Sequence, residues 1–175
     1  GQADACYRAM IDEAKAAIAT AKSQDVTLRP RAFVWVQGES DANAKDAAAY
    51  VANLSAMLKS LRTELAAPDL ILLLGVNTRF GNGKNAFMPK VIAAQQEVAA
   101  ALPRARYVDT AGAETLPPSH THSTAAFKLE IGRRYAEALL SFESAKSTMR
   151  PPLLLLTFAA LAAGGLFVAG CATTG

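Results

Sequence analysis

Cysteine and histidine are scarce in this chain of 175 residues, with two of each. Cys6 and Cys171 lie near opposite ends, and neither has the closely spaced Cys or His companions that a zinc site or a redox pair requires. No metal site is expected. An excess of one charge is also lacking: 18 Lys and Arg against 15 Asp and Glu leave a formal net charge of +3, scattered along the chain. Without a clustered Lys/Arg stripe there is no electrostatic footprint for nucleic acid, so no nucleic-acid partner is implied. What the chain has is apolar material, 51% of its residues, enough for one domain with a single core.

Both ends depart from this pattern. The chain opens on Gly1 and passes almost at once into a helical repeat, with Ala5, Ala9, Ile11, Ala14 and Ile18 on overlapping turns. The expectation is a domain that is truncated at its N-terminus. At the other end, Leu153 to Gly170 form an 18-residue stretch without charge, preceded by Met149-Arg150-Pro151-Pro152 and followed by Cys171. As a C-terminal hydrophobic helix it is long enough for a short membrane span. The order of parts also resembles a bacterial lipoprotein signal peptide: a basic start, an apolar run, then Val168-Ala169-Gly170-Cys171 as a cleavage box. The expected division is a catalytic-type domain over 1–147 and a hydrophobic tail over 148–175. The tail brings membrane association through 153–170 and a secreted, periplasmic or membrane-associated location.

Between the ends, strand and helix patterns alternate. Ala32 to Gln37 is a short apolar run rich in β-branched and aromatic residues, which predicts a buried strand. Tyr50, Leu54, Met57, Leu58 and Leu61 at helical spacing predict a helix from about Asn43 to Leu65, ended by Pro68-Asp69. Leu70 to Val76 is a second strand, Gly81-Asn82-Gly83 a loop, Pro89 to Leu102 a helix and Arg106 to Asp109 a third strand. Pro117-Pro118 holds an irregular loop through His122, and Thr124 to Phe142 is a final amphipathic helix. Unbroken apolar strands separated by helices imply a parallel sheet covered on both faces, in a three-layer α/β/α arrangement.

In such sheets functional groups gather beyond the carboxyl ends of the strands. Two segments satisfy that criterion: Trp35-Val36-Gln37-Gly38-Glu39-Ser40-Asp41, running off the first strand, and Ser119-His120-Thr121-His122, which holds both histidines. In the first, a glycine lets the backbone approach a ligand, flanked by an amide, a hydroxyl and two carboxylates. Gln37 Nε2, the Gly38 N–H and the Ser40 hydroxyl are candidate oxyanion donors. The alternative is an ordinary polar turn in which Asp41 or Asn43 caps the next helix.

Trp-Val-Gln-Gly-Glu-Ser-Asp resembles the third block of the sialate O-acetylesterase and acetylxylan esterase group within the SGNH hydrolases. His122-Ser123-Thr124-Ala125-Ala126, with Gly132-Arg133-Arg134-Tyr135-Ala136, is similar to its closing block. Leu61-Arg62 and Gln95 also stand where that family tends to have them, so the resemblance spans roughly 7–142. It implies a flavodoxin-like SGNH fold and an acetylated carbohydrate as substrate, with no metal or organic cofactor. It implies an oxyanion and substrate-binding role for Gln37, Gly38, Glu39 and Ser40, with His122 as general base.

Two departures from the family pattern bear on activity. The acid that usually precedes the histidine by three positions is Ser119 here, which accepts a hydrogen bond without carrying charge. Asp109 is the other candidate for that place, or a strand-end turn residue; His120 is the rival base. The nucleophile block, a Gly-Gln-Ser-Asn or Gly-Asp-Ser run, has no counterpart with a serine. Gly1-Gln2-Ala3-Asp4 is a chance likeness too close to Trp35 for the elements that normally intervene, and Ser40 lacks the second glycine of a nucleophile elbow. The expectation is a fragment of a serine-type carbohydrate O-acetylesterase that is inactive by itself. The alternative is a non-catalytic carbohydrate-binding or membrane-tethered accessory domain of the same fold.

Overall fold

The computed structural model describes residues 2–118 and 120–148. In chain order the elements are α1 (Gln2–Ser23), β1 (Ala32–Val36), α2 (Tyr50–Glu64), β2 (Ile71–Gly75), α3 (Met88–Ala101), β3 (Ala105–Tyr107) and α4 (Ala125–Thr148), with a short 3-10 turn at Phe80–Gly83 between β2 and α3. The three strands form a parallel sheet in the order β1-β2-β3, with Ala32 opposite Ile71 and Leu72 opposite Ala105. Parallel neighbours cannot be joined by a tight turn, so α2 and α3 are the crossovers.

Side chains alternate across β2, and every residue of that strand is buried because it is central and covered on both sides. Leu72 and Leu74 pack with Leu54, Leu58, Leu61, Val91 and Val98 of α2 and α3, and Ile11 of α1 joins the same core. Ile71 and Leu73 point the other way, against Tyr135 and Ala138 of α4.

β1 departs from the expected buried strand. Phe33 and Trp35 pack toward the α2/α3 core, but Val34 and Val36 remain 49% and 37% exposed. The reason is placement: β1 is an edge strand, and α4 packs against β2. The sheet is therefore covered more completely on one face than on the other.

The helix expected from Asn43 starts at Tyr50 instead. Asn43 Oδ1 accepts from the N–H groups of Lys45 and Asp46, and its Nδ2 donates to Ser40 O at 2.8 Å, so the segment closes on itself as a turn. Neither Asp41 nor Asn43 caps α2; Ala49 occupies that position without a side-chain bond. At α3, Pro89 falls in the first turn, where its missing N–H costs no helix bond. The final helix runs six residues past the expected Phe142, to Thr148.

Residues 149–175, on which the hydrophobic helix and the signal-like box were expected, lie outside the described residues. Among the described residues no helix is long and apolar enough to cross a membrane.

Candidate active site

Beyond β1 the chain turns sharply at Gly38, which has φ +138° and is buried. A Cβ there would stand 2.7 Å from the Tyr50 hydroxyl and 2.8 Å from Val91 Cγ1, so both conformation and space demand glycine. The carbonyl of Gln37 accepts from Gln95 Nε2 at 2.7 Å and from the Tyr50 hydroxyl at 3.1 Å. Tyr50 also receives Gln95 Nε2 at 3.0 Å and Trp35 Nε1 at 3.4 Å. Burial is the main cause that raises the Tyr50 pKa, which keeps the phenol a neutral donor. The loop then closes through Asp41 N–H to Gly38 O and Ala42 N–H to Glu39 O. The Asp41 carboxyl is raised above its ordinary pKa, chiefly by burial and then by the nearby Asp46.

The end of β2 meets this loop directly. The Asn77 backbone N–H donates to Glu39 Oε1 at 2.7 Å. The Asn77 side-chain amide donates onward to the carbonyls of His120 at 3.1 Å and Thr121 at 3.2 Å. Beyond β3, the fully buried Thr110 donates its hydroxyl to Val76 O, and Thr78 donates to Thr110 O at 3.4 Å. Backbone and side-chain bonds thus join the ends of all three strands to the histidine loop.

That loop is closed at its base. Thr115 and Ser123 form an antiparallel bridge, Leu116 N–H donates to His122 O at 2.8 Å, and Thr124 N–H donates to Glu114 O at 3.0 Å. Within it the two histidines have different settings. His120 is half-buried, with Nδ1 2.8 Å from the Thr115 hydroxyl. His122 is exposed and lines a cleft of about 320 Å³ together with Gln37, Glu39, Ser40, Asn77 and Phe127.

The structure therefore brings Gln37, Glu39, Ser40 and His122 to one cleft at the carboxyl edge of the sheet, with Gly38 forming the turn behind it. Asp109 is not among the residues lining that cleft; its Oδ1 accepts from Ala111 N–H at 2.8 Å in a local turn. Ser119 lies outside the described residues. Asn77, Thr110 and Phe127 were not singled out from sequence. Asn77 could have been, because it follows the second apolar run as Gln37 follows the first.

A larger cavity, about 770 Å³, opens at the opposite edge and is lined by Arg29, Arg31, Asp69, Arg104 and Glu143 among others. Two of its basic groups are engaged with their neighbours: Arg31 pairs with Glu143, and Arg104 Nε donates to Asp69 O at 2.9 Å. Ligands of open α/β sheets collect at the carboxyl edge, so the smaller cleft is the candidate site. Among the described residues no group of three or more His, Cys, Asp or Glu side chains is placed to hold a metal ion.

The family model described as carbohydrate esterase, sialic acid-specific acetylesterase, matches residues 1–141. A crystal structure of an Arabidopsis thaliana protein is similar, with 26% identity and a TM-score of 0.63. The match covers 77% of this chain and 52% of the plant protein, so the chain spans about half of that relative's length. No curated protein matches the chain significantly.

Proposed function

Since the chain belongs to the sialic acid-specific acetylesterase family of carbohydrate esterases, we propose that it forms the oxyanion and general-base side of an esterase that removes acetyl groups from sugar hydroxyls. The observation that carries this reading is the shared cleft: Gln37 and His122, 85 positions apart, face one cavity at the carboxyl edge of the sheet. The architecture is read as the flavodoxin-like SGNH type, with β1 to β3 as adjacent strands of its parallel sheet.

In this reading the acetyl carbonyl sits between the donors and the base. A serine hydroxyl, which no Gly-Gln-Ser or Gly-Asp-Ser block of these 175 residues provides, attacks the carbonyl carbon. His122 takes its proton, and the carbonyl oxygen gains the charge that Gln37 Nε2 and the Gly38 N–H stabilise. His122 then returns the proton to the sugar oxygen as the ester C–O bond breaks. Water attacks the acyl-serine by the same route and releases acetate. Glu39 is committed to Asn77, which supports a positioning role for it in place of proton transfer.

The test uses the 175-residue chain with an O-acetylated sialic acid. Saturable NMR shifts are expected at the Gln37 side-chain amide and the His122 ring, with His120 unmoved and no acetate released above background. Shifts confined to the residues of the opposite cavity would sink the reading. So would acetate release that disappears in Ser40→Ala, since Ser40 would then be the nucleophile.

A further inference from the structure

α3 carries a side chain that its position does not lead one to expect. Gln95 falls on the apolar stripe with Val91, Val98 and Ala99, has no exposed surface, and sits inside the main core. A buried amide is costly unless bonded, and here one atom, Oε1, has no partner among the described residues. The amide is therefore not placed for its own satisfaction.

Its Nε2 does both of the jobs available to it, donating to Gln37 O at 2.7 Å and to the Tyr50 hydroxyl at 3.0 Å. The reverse orientation would set Oε1 against a carbonyl that can only accept, so the amide has one workable direction. Tyr50 in turn donates to the same carbonyl at 3.1 Å. Two donors from two different helices thus hold the Gln37 carbonyl toward the α2/α3 side. In a trans peptide the C=O and the following N–H point in opposite directions. The Gly38 N–H is then turned away from that wall, toward the side on which Gln37, Glu39 and Ser40 line the cleft. It donates to no acceptor among the described residues. A Cβ added at Gly38 would meet the same Tyr50 hydroxyl at 2.7 Å and Gln95 Nε2 at 3.2 Å, so the turn that carries this peptide admits only glycine.

We propose that Gln95, together with Tyr50, is a positioning pair that locks the Gln37–Gly38 peptide with its N–H directed into the cleft as an oxyanion donor. This rests on the esterase reading of the cleft and adds to it the residues that aim the donor. Neither Gln95 nor Tyr50 touches substrate; both act through the backbone of Gln37. Loss of the aim is expected to weaken a bound oxyanion about tenfold or more, the effect of one hydrogen bond to a charged group.

The experiment titrates acetate, the product anion, into the 175-residue chain and follows the Gly38 amide and the His122 ring by NMR. In the unmodified chain both signals move and saturate. In Gln95→Leu the Gly38 response falls about tenfold in affinity or vanishes while the His122 response persists, and the Gln37 carbonyl carbon moves upfield as its donor is lost. Tyr50→Phe, which keeps the ring and removes one donor, gives a smaller change in the same direction. An unchanged Gly38 response in a folded Gln95→Leu overturns the proposal; should that variant not fold, an unchanged response in Tyr50→Phe does so. If acetate moves neither signal in the unmodified chain, the esterase reading fails, and the donor assignment with it.

Discussion

On one face of the sheet Leu72 and Leu74 lie under α2 and α3 with no exposed surface, whereas on the other Val34 and Val36 keep 49% and 37% of theirs. The first face is closed by interlocking apolar rows from α1, α2 and α3; the second has α4 alone, packed over Ile71 and Leu73. The cleft lies where the two regimes meet. Its wall toward α2 and α3 is tightly packed, with Tyr50, Val91 and Gln95 against the Gly38 turn. Its other side carries the histidine loop, which is held by a short bridge and by Asn77. The Gly38 turn thus has a close-packed backing, and the less covered side leaves the cleft open to solvent.

Paired truncations test that contrast most strongly. Leu72→Ala should cost about 2–5 kcal/mol, because a fully buried leucine leaves a cavity that its neighbours fill only in part. Val34→Ala, one position along the register on the open face, should cost less than about 1 kcal/mol, since half of the side chain is already in water. Urea unfolding of the two variants measures both; equal losses would mean that the faces are packed alike.

A smaller effect, of opposite sign, is expected from α4. The Tyr135 hydroxyl is buried over Gly75, in the space a Cβ would occupy, and has no partner among the described residues. Burial also pushes its pKa upward, so it stays un-ionised. Tyr135→Phe should stabilise the protein by about 1 kcal/mol and raise the melting midpoint by about 3 °C. A loss of stability would show that the hydroxyl has a bonded partner and that the α4 face is better satisfied than its geometry indicates.

The smallest effect concerns the solvent side of α4. Hydrogen bonds from Arg133 and Arg134 hold the Glu130 carboxyl at about 2, below its ordinary 4.5. A depressed carboxyl contributes stability that is present above its unfolded pKa and lost as pH falls through the folded one. The gap between the parent chain and Glu130→Gln should therefore be small at neutral pH and close between about pH 4.5 and about pH 2 in thermal melts. Because the group lies at the surface and is open to solvent screening, a large gap at neutral pH would contradict the surface character of this cluster.

Much of the fold was legible because apolar periodicity is local. Leu70 to Val76 announces a strand and Tyr50, Leu54, Leu58 and Leu61 a helix face, and both are seen. The start of α2 was misplaced because Asn43 satisfies nearby backbone groups with its own side chain, a competition that the apolar pattern does not record. The partial exposure of β1 was equally hidden: Ala-Phe-Val-Trp-Val reads as buried, and only the position of α4 relative to β2 leaves its valines open.

The same division holds at the cleft. The amino-acid sequence alone singled out the candidate segments, Gln37-Gly38-Glu39-Ser40 and the loop with His122, because their residue types suit what an oxyanion and a proton require. Tertiary structure decided how they are aimed. Glu39 reaches Asn77 across 38 positions, Asn77 reaches the histidine loop across 43 and 44, and Gln95 reaches Gln37 across 58. Those bonds exist only once parallel pairing has brought the strand ends to one edge, and hydrogen bonds are too short-ranged and directional to be inferred before that edge is built.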